Sequence, residues 1–97
     1  MFARVFTVTM KTDRLDEAIA EWPKATGAFK GKGLVAGYML LEDRASAKVV
    51  SVTLWDSEEA IERNLNSPDM KGVMGHFRQF FASEPAIVQY QVAAKVV

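Results

Sequence analysis

The chain carries one histidine, His76, and therefore one side chain whose ordinary pKa lies near neutrality. If a weakly acidic substrate proton is to be removed, His76 is the base available for it. On a helical wheel of residues 69–81 it sits roughly 100° from the centre of the apolar face, at its border. There it either reaches into a cleft or rests half-exposed with a satisfied hydrogen bond, and the second is the plainer reading. Arg4 stands among apolar residues of an extended segment. A buried guanidinium must be paired, so Arg4 meets either a carboxylate such as Glu42, an acid across an interface, or an anionic substrate oxygen. Structural pairing is the simplest of these. Trp55 and Tyr38 supply rings on which a planar ligand could stack, with Trp22 able to close over it. Packing in the core or at an interface accounts for Trp55 just as well. Phe77, on the apolar face of the 69–81 helix, joins them as a candidate for substrate contact. Glu58, Glu59 and Glu62 crowd an exposed helix start, where no raised pKa and no paired-carboxylate chemistry is expected. No P-loop, dinucleotide-binding glycine pattern, Ser-His-Asp set or metal-ligand cluster is present in the sequence.

Composition narrows the classes further. Ninety-seven residues, 49% of them hydrophobic, predict one globular domain over residues 1–97. Twelve basic and twelve acidic residues balance to a formal charge of zero, which lacks the basic excess of a nucleic-acid binder. The absence of cysteine excludes a disulfide framework, thiolate metal sites and a thiol nucleophile. Apolar runs fall well short of the roughly 20 residues of a membrane span, and the N-terminus reads directly into a strand. The expectation is a cytoplasmic protein with no membrane or nucleic-acid partner.

The elements that must position these side chains follow from periodicity. Ala3–Met10, rich in β-branched and aromatic residues, predicts a strand. Thr12 or Asp13 then caps a helix whose apolar residues Leu15, Ile19, Trp22 and Phe29 share one face, with a kink or break at Pro23. Leu34–Glu42 and Lys48–Trp55 read as a hairpin around the polar turn Asp43–Ala47. Asp56, with Glu59 three residues on, predicts a capped helix start. After Ser67-Pro68, with Asp69 as a further cap candidate, an apolar 3.6-residue period continues to Phe81, and Ile87–Val97 is the last strand. The order β-α-β-β-α-β is that of an α+β, ferredoxin-like fold with an antiparallel sheet and its helices on one face.

The strands are apolar or small on both faces, as in Val49-Val50-Ser51-Val52-Thr53-Leu54-Trp55. An antiparallel sheet with one wet face alternates instead, so the second face must also be covered. With all helices on one side, the cover is a second copy of the sheet. A homodimer packed through its sheet faces is expected.

The segment Ser51-Val-Thr-Leu-Trp55-Asp-Ser-Glu-Glu-Ala60, followed by Asn66-Ser-Pro-Asp-Met70, resembles the antibiotic biosynthesis monooxygenase domain of the dimeric α+β barrel superfamily. The likeness extends to the first-strand pattern, Trp22-Pro23, Gly37-Tyr38 and the ending Val88-Gln-Tyr90-Gln-Val92. It implies a dimeric barrel with a cleft between helices and sheet in each subunit. Enzymatic members of that family oxygenate polycyclic phenols to quinones with molecular oxygen and without metal or flavin, so no cofactor is expected. Many such members carry one histidine in the second helical region and another after the Ser/Pro turn, where this chain has Asn64 and Asp69. By that resemblance Asn64 is a candidate to orient substrate or oxygen, and Asp69 a candidate pocket residue. The haem-degrading branch uses an Asn, a Trp and a His, where this chain has Phe6 or Thr7, Asn64 and Met74. His76 is two residues displaced, a rotation of about 200° on a helix, so a haem triad is not carried over.

Two functions follow from this reading. One is cofactor-independent oxygenation of an aromatic or apolar small molecule, with His76 as base and Asn64 and Trp55 positioning the substrate. The other is a non-catalytic dimeric barrel that binds a ligand or serves in a stress response, in which each of these residues is structural.

Overall fold

In a computed structural model that describes residues 1–96, a four-stranded antiparallel sheet carries its helices on one face. Strand β1 (Phe2–Thr9) lies between β3 (Lys48–Trp55) and β4 (Ala86–Gln91), and β2 (Leu34–Asp43) pairs on the far side of β3. Helices α1 (Leu15–Gly27), α2 (Glu58–Leu65) and α3 (Pro68–Phe77) complete the ferredoxin-like α+β fold.

Local chemistry sets where the elements begin, and in several places it differs from the expectation. A 3-10 turn at Thr12–Arg14 precedes α1, and neither Thr12 nor Asp13 caps the helix by its side chain. Pro23 removes one backbone donor, yet α1 runs unbroken to Gly27. Phe29 lies beyond the helix end and is buried in the turn that follows. The cap of α2 is Ser57 rather than Asp56, its hydroxyl accepting from the Ala60 N–H at 3.1 Å. Ser67, not Asp69, caps α3. Its Oγ accepts from the Met70 N–H at 3.1 Å and donates to the Asn64 carbonyl at 2.6 Å, joining the end of α2 to the start of α3. Pro68 takes the first helical position, where its missing N–H costs nothing. The α-helix ends at Phe77 and tightens into a 3-10 turn, Arg78–Phe80. Strand β4 ends at Gln91, which pairs with Phe2, the first residue of β1. The Val92 N–H still donates to the Met1 carbonyl at 2.9 Å, residues 93–96 are not part of the strand, and Val97 lies outside the described residues.

Two glycines admit close approaches. Gly33, at φ +106°, leads into β2, and a Cβ there would lie 2.5 Å from that of Ala60. Gly37, within β2, lies under Trp22, whose ring would be 3.2 Å from an added Cβ.

Register assigns every strand residue to a face. Arg4, Phe6, Val8, Ser51, Thr53, Trp55, Gly37 and Met39 face the helices. The opposite face carries Val5 flanked by Val52 and Val88, with Tyr38 beyond Val52, and Ala3 flanked by Leu54 and Tyr90. No helix covers this second face, and Tyr38 is 58% and Tyr90 54% exposed.

Beneath the helices the core divides. One cluster gathers Val8, Met10, Leu15, Ala18, Val49, Phe77 and Phe80, and the other Phe29, Trp55, Ala60, Ile61 and Met70. Between them a cleft remains.

Candidate functional site

The floor of the cleft is the inner face of the sheet: Arg4, Phe6 and Val8 from β1, Ser51, Thr53 and Trp55 from β3, and Met39 from β2. Trp22 and Thr26 of α1 form one wall, and Met70, Val73, Met74 and Phe77 of α3 the other. Trp22 reaches this position because Gly37 below it has no side chain. The cavity measures about 80 Å³. A dry cavity of about 150 Å³ holds benzene, so a ringed ligand enters only if the walls give. Met39, Met70 and Met74 are unbranched and suited to that adjustment.

Among the described residues, Arg4 is the only charged one that lines the cleft. Neither Glu42 nor any other acid pairs with it: among the described residues Glu42 lies 4.0 Å from Lys48 Nζ, and each remaining ion pair involves other groups. Burial alone pulls the Arg4 pKa down, with no opposing pull from a carboxylate. Arginine nevertheless stays protonated in proteins, so the charge remains in the cleft. Its cross-strand neighbour Thr53 is already engaged, accepting from Trp55 Nε1 at 2.9 Å and donating to the Arg4 carbonyl at 3.4 Å. No fully buried side-chain nitrogen or oxygen lacks a partner among the described residues. The guanidinium nitrogens, which have no protein acceptor among the described residues, are therefore not fully buried, and Arg4 lines the cleft.

The structure brings Arg4, Trp55 and Phe77 together in this cleft and places the other candidates elsewhere. Tyr38 points from the outer face of the sheet, because Gly37 takes the inward position beside it. His76 lies on the far flank of α3, half-exposed. Its Nε2 is 3.2 Å from both carboxylate oxygens of Glu21 on α1, and Nδ1 is 3.2 Å from the Gln79 amide nitrogen. With Gln79 donating to Nδ1, the neutral ring carries its proton on Nε2 and donates to Glu21. The ring also meets Phe77 and Phe80 edge to face at 5.7 and 5.8 Å. His76 thus fastens α3 to α1 from outside.

Asn64 is buried, but both protons of its amide are spent on backbone carbonyls, Lys32 at 2.8 Å and Ala60 at 2.7 Å. It pins the 30–33 turn to α2. Asp69 accepts from Lys32 Nζ at 2.9 Å on the surface beside that turn. Asn64 and Asp69 therefore belong to one structural junction centred on Lys32, away from the cleft.

Phe6, Ser51 and Thr53 line the cleft without having been singled out from the sequence as ligand contacts. The signal for them is the two-residue period of a strand: Phe6 follows Arg4, and Ser51 and Thr53 precede Trp55, at alternate positions.

The sequence profile of the antibiotic biosynthesis monooxygenase family matches residues 1–83. The chain belongs to this family. Solved structures of similar fold include a Caulobacter crescentus protein ascribed to the family, with a TM-score of 0.83 at 13% identity over 96% of this chain and 90% of that one. A Deinococcus radiodurans counterpart gives 0.82 at 11% identity over 100% and 97%. An MhuD variant with two manganese protoporphyrin IX bound per active site gives 0.79 at 17% identity over 100% and 99%. At these identities the likeness is one of fold. No curated protein matches the sequence. Among the described residues of this family member, no helix is long and apolar enough to cross a membrane.

Proposed function

We propose that this family member binds a small aromatic or apolar molecule in the cleft between α1, α3 and the sheet, and works as a homodimer packed through the outer sheet faces. The observation that carries the ligand reading is the largely apolar lining between two core clusters, with Trp22, Trp55, Phe6 and Phe77 around it. Rings of this kind hold a planar ligand by stacking and by excluding water. The bare apolar row of Tyr38, Val52, Val5 and Val88 supports the dimer.

The first activity to test is oxygenation of a phenol by molecular oxygen alone. One oxygen atom enters the ring, the other leaves as water, and the product is a quinone, so no further reductant is needed. The reacting form is the phenolate, which transfers an electron to oxygen. The chain's contribution is desolvation, orientation and stabilisation of negative charge. In this reading Arg4, which lines the cleft, holds the negative charge of the bound molecule, and His76, which does not line it, takes no part. Quinone formation, followed optically on a panel of phenols in air and under argon, is expected only in air. Turnover that requires an added flavin or metal would overturn this chemistry.

A second reading, a ligand-binding barrel without catalysis, is supported by the position of His76. That residue is tied to Glu21, and no histidine is among the described residues that line the cleft. Binding without turnover across the panel is the outcome expected of this alternative.

A further inference from the structure

We propose that Arg4 selects the ligand: the molecule the cleft is built for carries a carboxylate on an aromatic body, with the carboxylate on the guanidinium and the rings between Trp22, Trp55 and Phe77. This rests on the reading of the cleft as a ligand site and adds the chemical class that enters it.

Three observations lead there. The floor is apolar apart from Arg4, Ser51 and Thr53, and Thr53 is committed to Trp55 and to the Arg4 backbone. Arg4 has no acid within ion-pairing distance among the described residues, although Glu42 and others stand within the same sheet and its flanks. A guanidinium kept in a partly desolvated place without a counter-charge is a poor choice for stability. A methionine or leucine would fill the same volume without the desolvation cost. Its attraction for an incoming anion, by contrast, rises as the local dielectric falls. The planar fork of an arginine matches two carboxylate oxygens at once, which favours a carboxylate over a single-oxygen anion. Ser51, diagonal to Arg4 across the β1–β3 pair, adds a hydroxyl on the same floor.

The chain contains two tryptophans, Trp22 and Trp55, and both line the cleft. Their indole N–H signals in a ¹⁵N-correlated NMR spectrum therefore report its occupancy directly. Benzoate and benzamide, which share shape and ring and differ in charge, serve as probes. With the unaltered protein, benzoate is expected to shift both indole signals and to bind at least tenfold more tightly than benzamide. Arg4→Met, similar in length and uncharged, is expected to fold at least as stably and to lose the preference, the two probes binding alike. Arg4→Lys, which keeps the charge without the fork, is expected to retain only part of it. Equal affinity for the two probes in the unaltered protein, or an unchanged preference in Arg4→Met, overturns the role of Arg4 while leaving the cleft as an apolar site. Absence of any indole shift with either probe at millimolar concentration overturns the ligand reading itself.

Discussion

On the inner face of the sheet, Arg4, Phe6 and Val8 of β1 lie beneath α1 and α3; on the outer face, Ala3, Val5 and Thr7 of the same strand lie beneath nothing. The two faces draw on similar residue types. What separates them is how they are closed. The inner face is closed by a core cluster at either end, with a cavity between them whose lining carries one charge, Arg4. The outer face is an apolar row, and none of the described helices covers it. Apolar content therefore marks two kinds of surface in this protein, and the unpaired arginine tells them apart.

The comparison is sharpest where the inner face is fully closed. Phe80 has no exposed surface and packs edge to face on Phe77 at 5.4 Å. Phe80→Ala is expected to cost about 3–5 kcal/mol, read as a fall in the urea midpoint of unfolding. A loss below about 1 kcal/mol would mean that the helices sit loosely on the sheet and that the cleft is not a bounded cavity.

The outer face is broken by a charge at its centre. Val52 stands between Val5 and Tyr38. In Val52→Glu the proposed dimer is expected to dissociate at micromolar concentration, with the mass from light scattering halved and the far-ultraviolet circular dichroism retained. Unaltered protein that already scatters as a monomer would remove the outer face from the account as an interface.

The smallest effect is expected on the flank of α3. His76→Ala removes a half-exposed pairing with Glu21 and is expected to change stability by less than about 0.5 kcal/mol. Any quinone formation from phenols in air is expected to persist in this variant. Its loss would return the role of base to His76 and would require α3 to turn.

Much of the fold was legible because periodicity is a local property. The hairpin Leu34–Trp55 and the division of the second helical region at Ser67-Pro68 follow from two apolar runs around a polar turn and from a residue that cannot donate a backbone hydrogen bond. Family membership was legible in the text around Trp55 and Asn66–Met70. The lining of the candidate cleft was legible only in part. Arg4 and Trp55 announced themselves as a charge in an apolar strand and an aromatic residue at a strand end. Tyr38 did not reveal its face, because β2 is apolar or small at both parities and alternation then has no sign. Helix starts were off by one or two residues where two capping candidates stood side by side, as with Asp56 and Ser57.

The sequence by itself determined the order of the elements, the apolarity of both sheet faces and the scarcity of titratable groups near neutrality, since each depends on residue type and spacing alone. Only the tertiary structure decided which candidates meet. His76 stands at the edge of an apolar stripe, and the turn of α3 about its own axis, set by packing against α1 and Phe80, sends it outward to Glu21. Asn64 was consumed by the backbone of a distant turn, a contact between positions 32 residues apart that no local pattern encodes. Arg4 meets no acid among the described residues because the register of β1 leaves it facing Thr53 and Gln89.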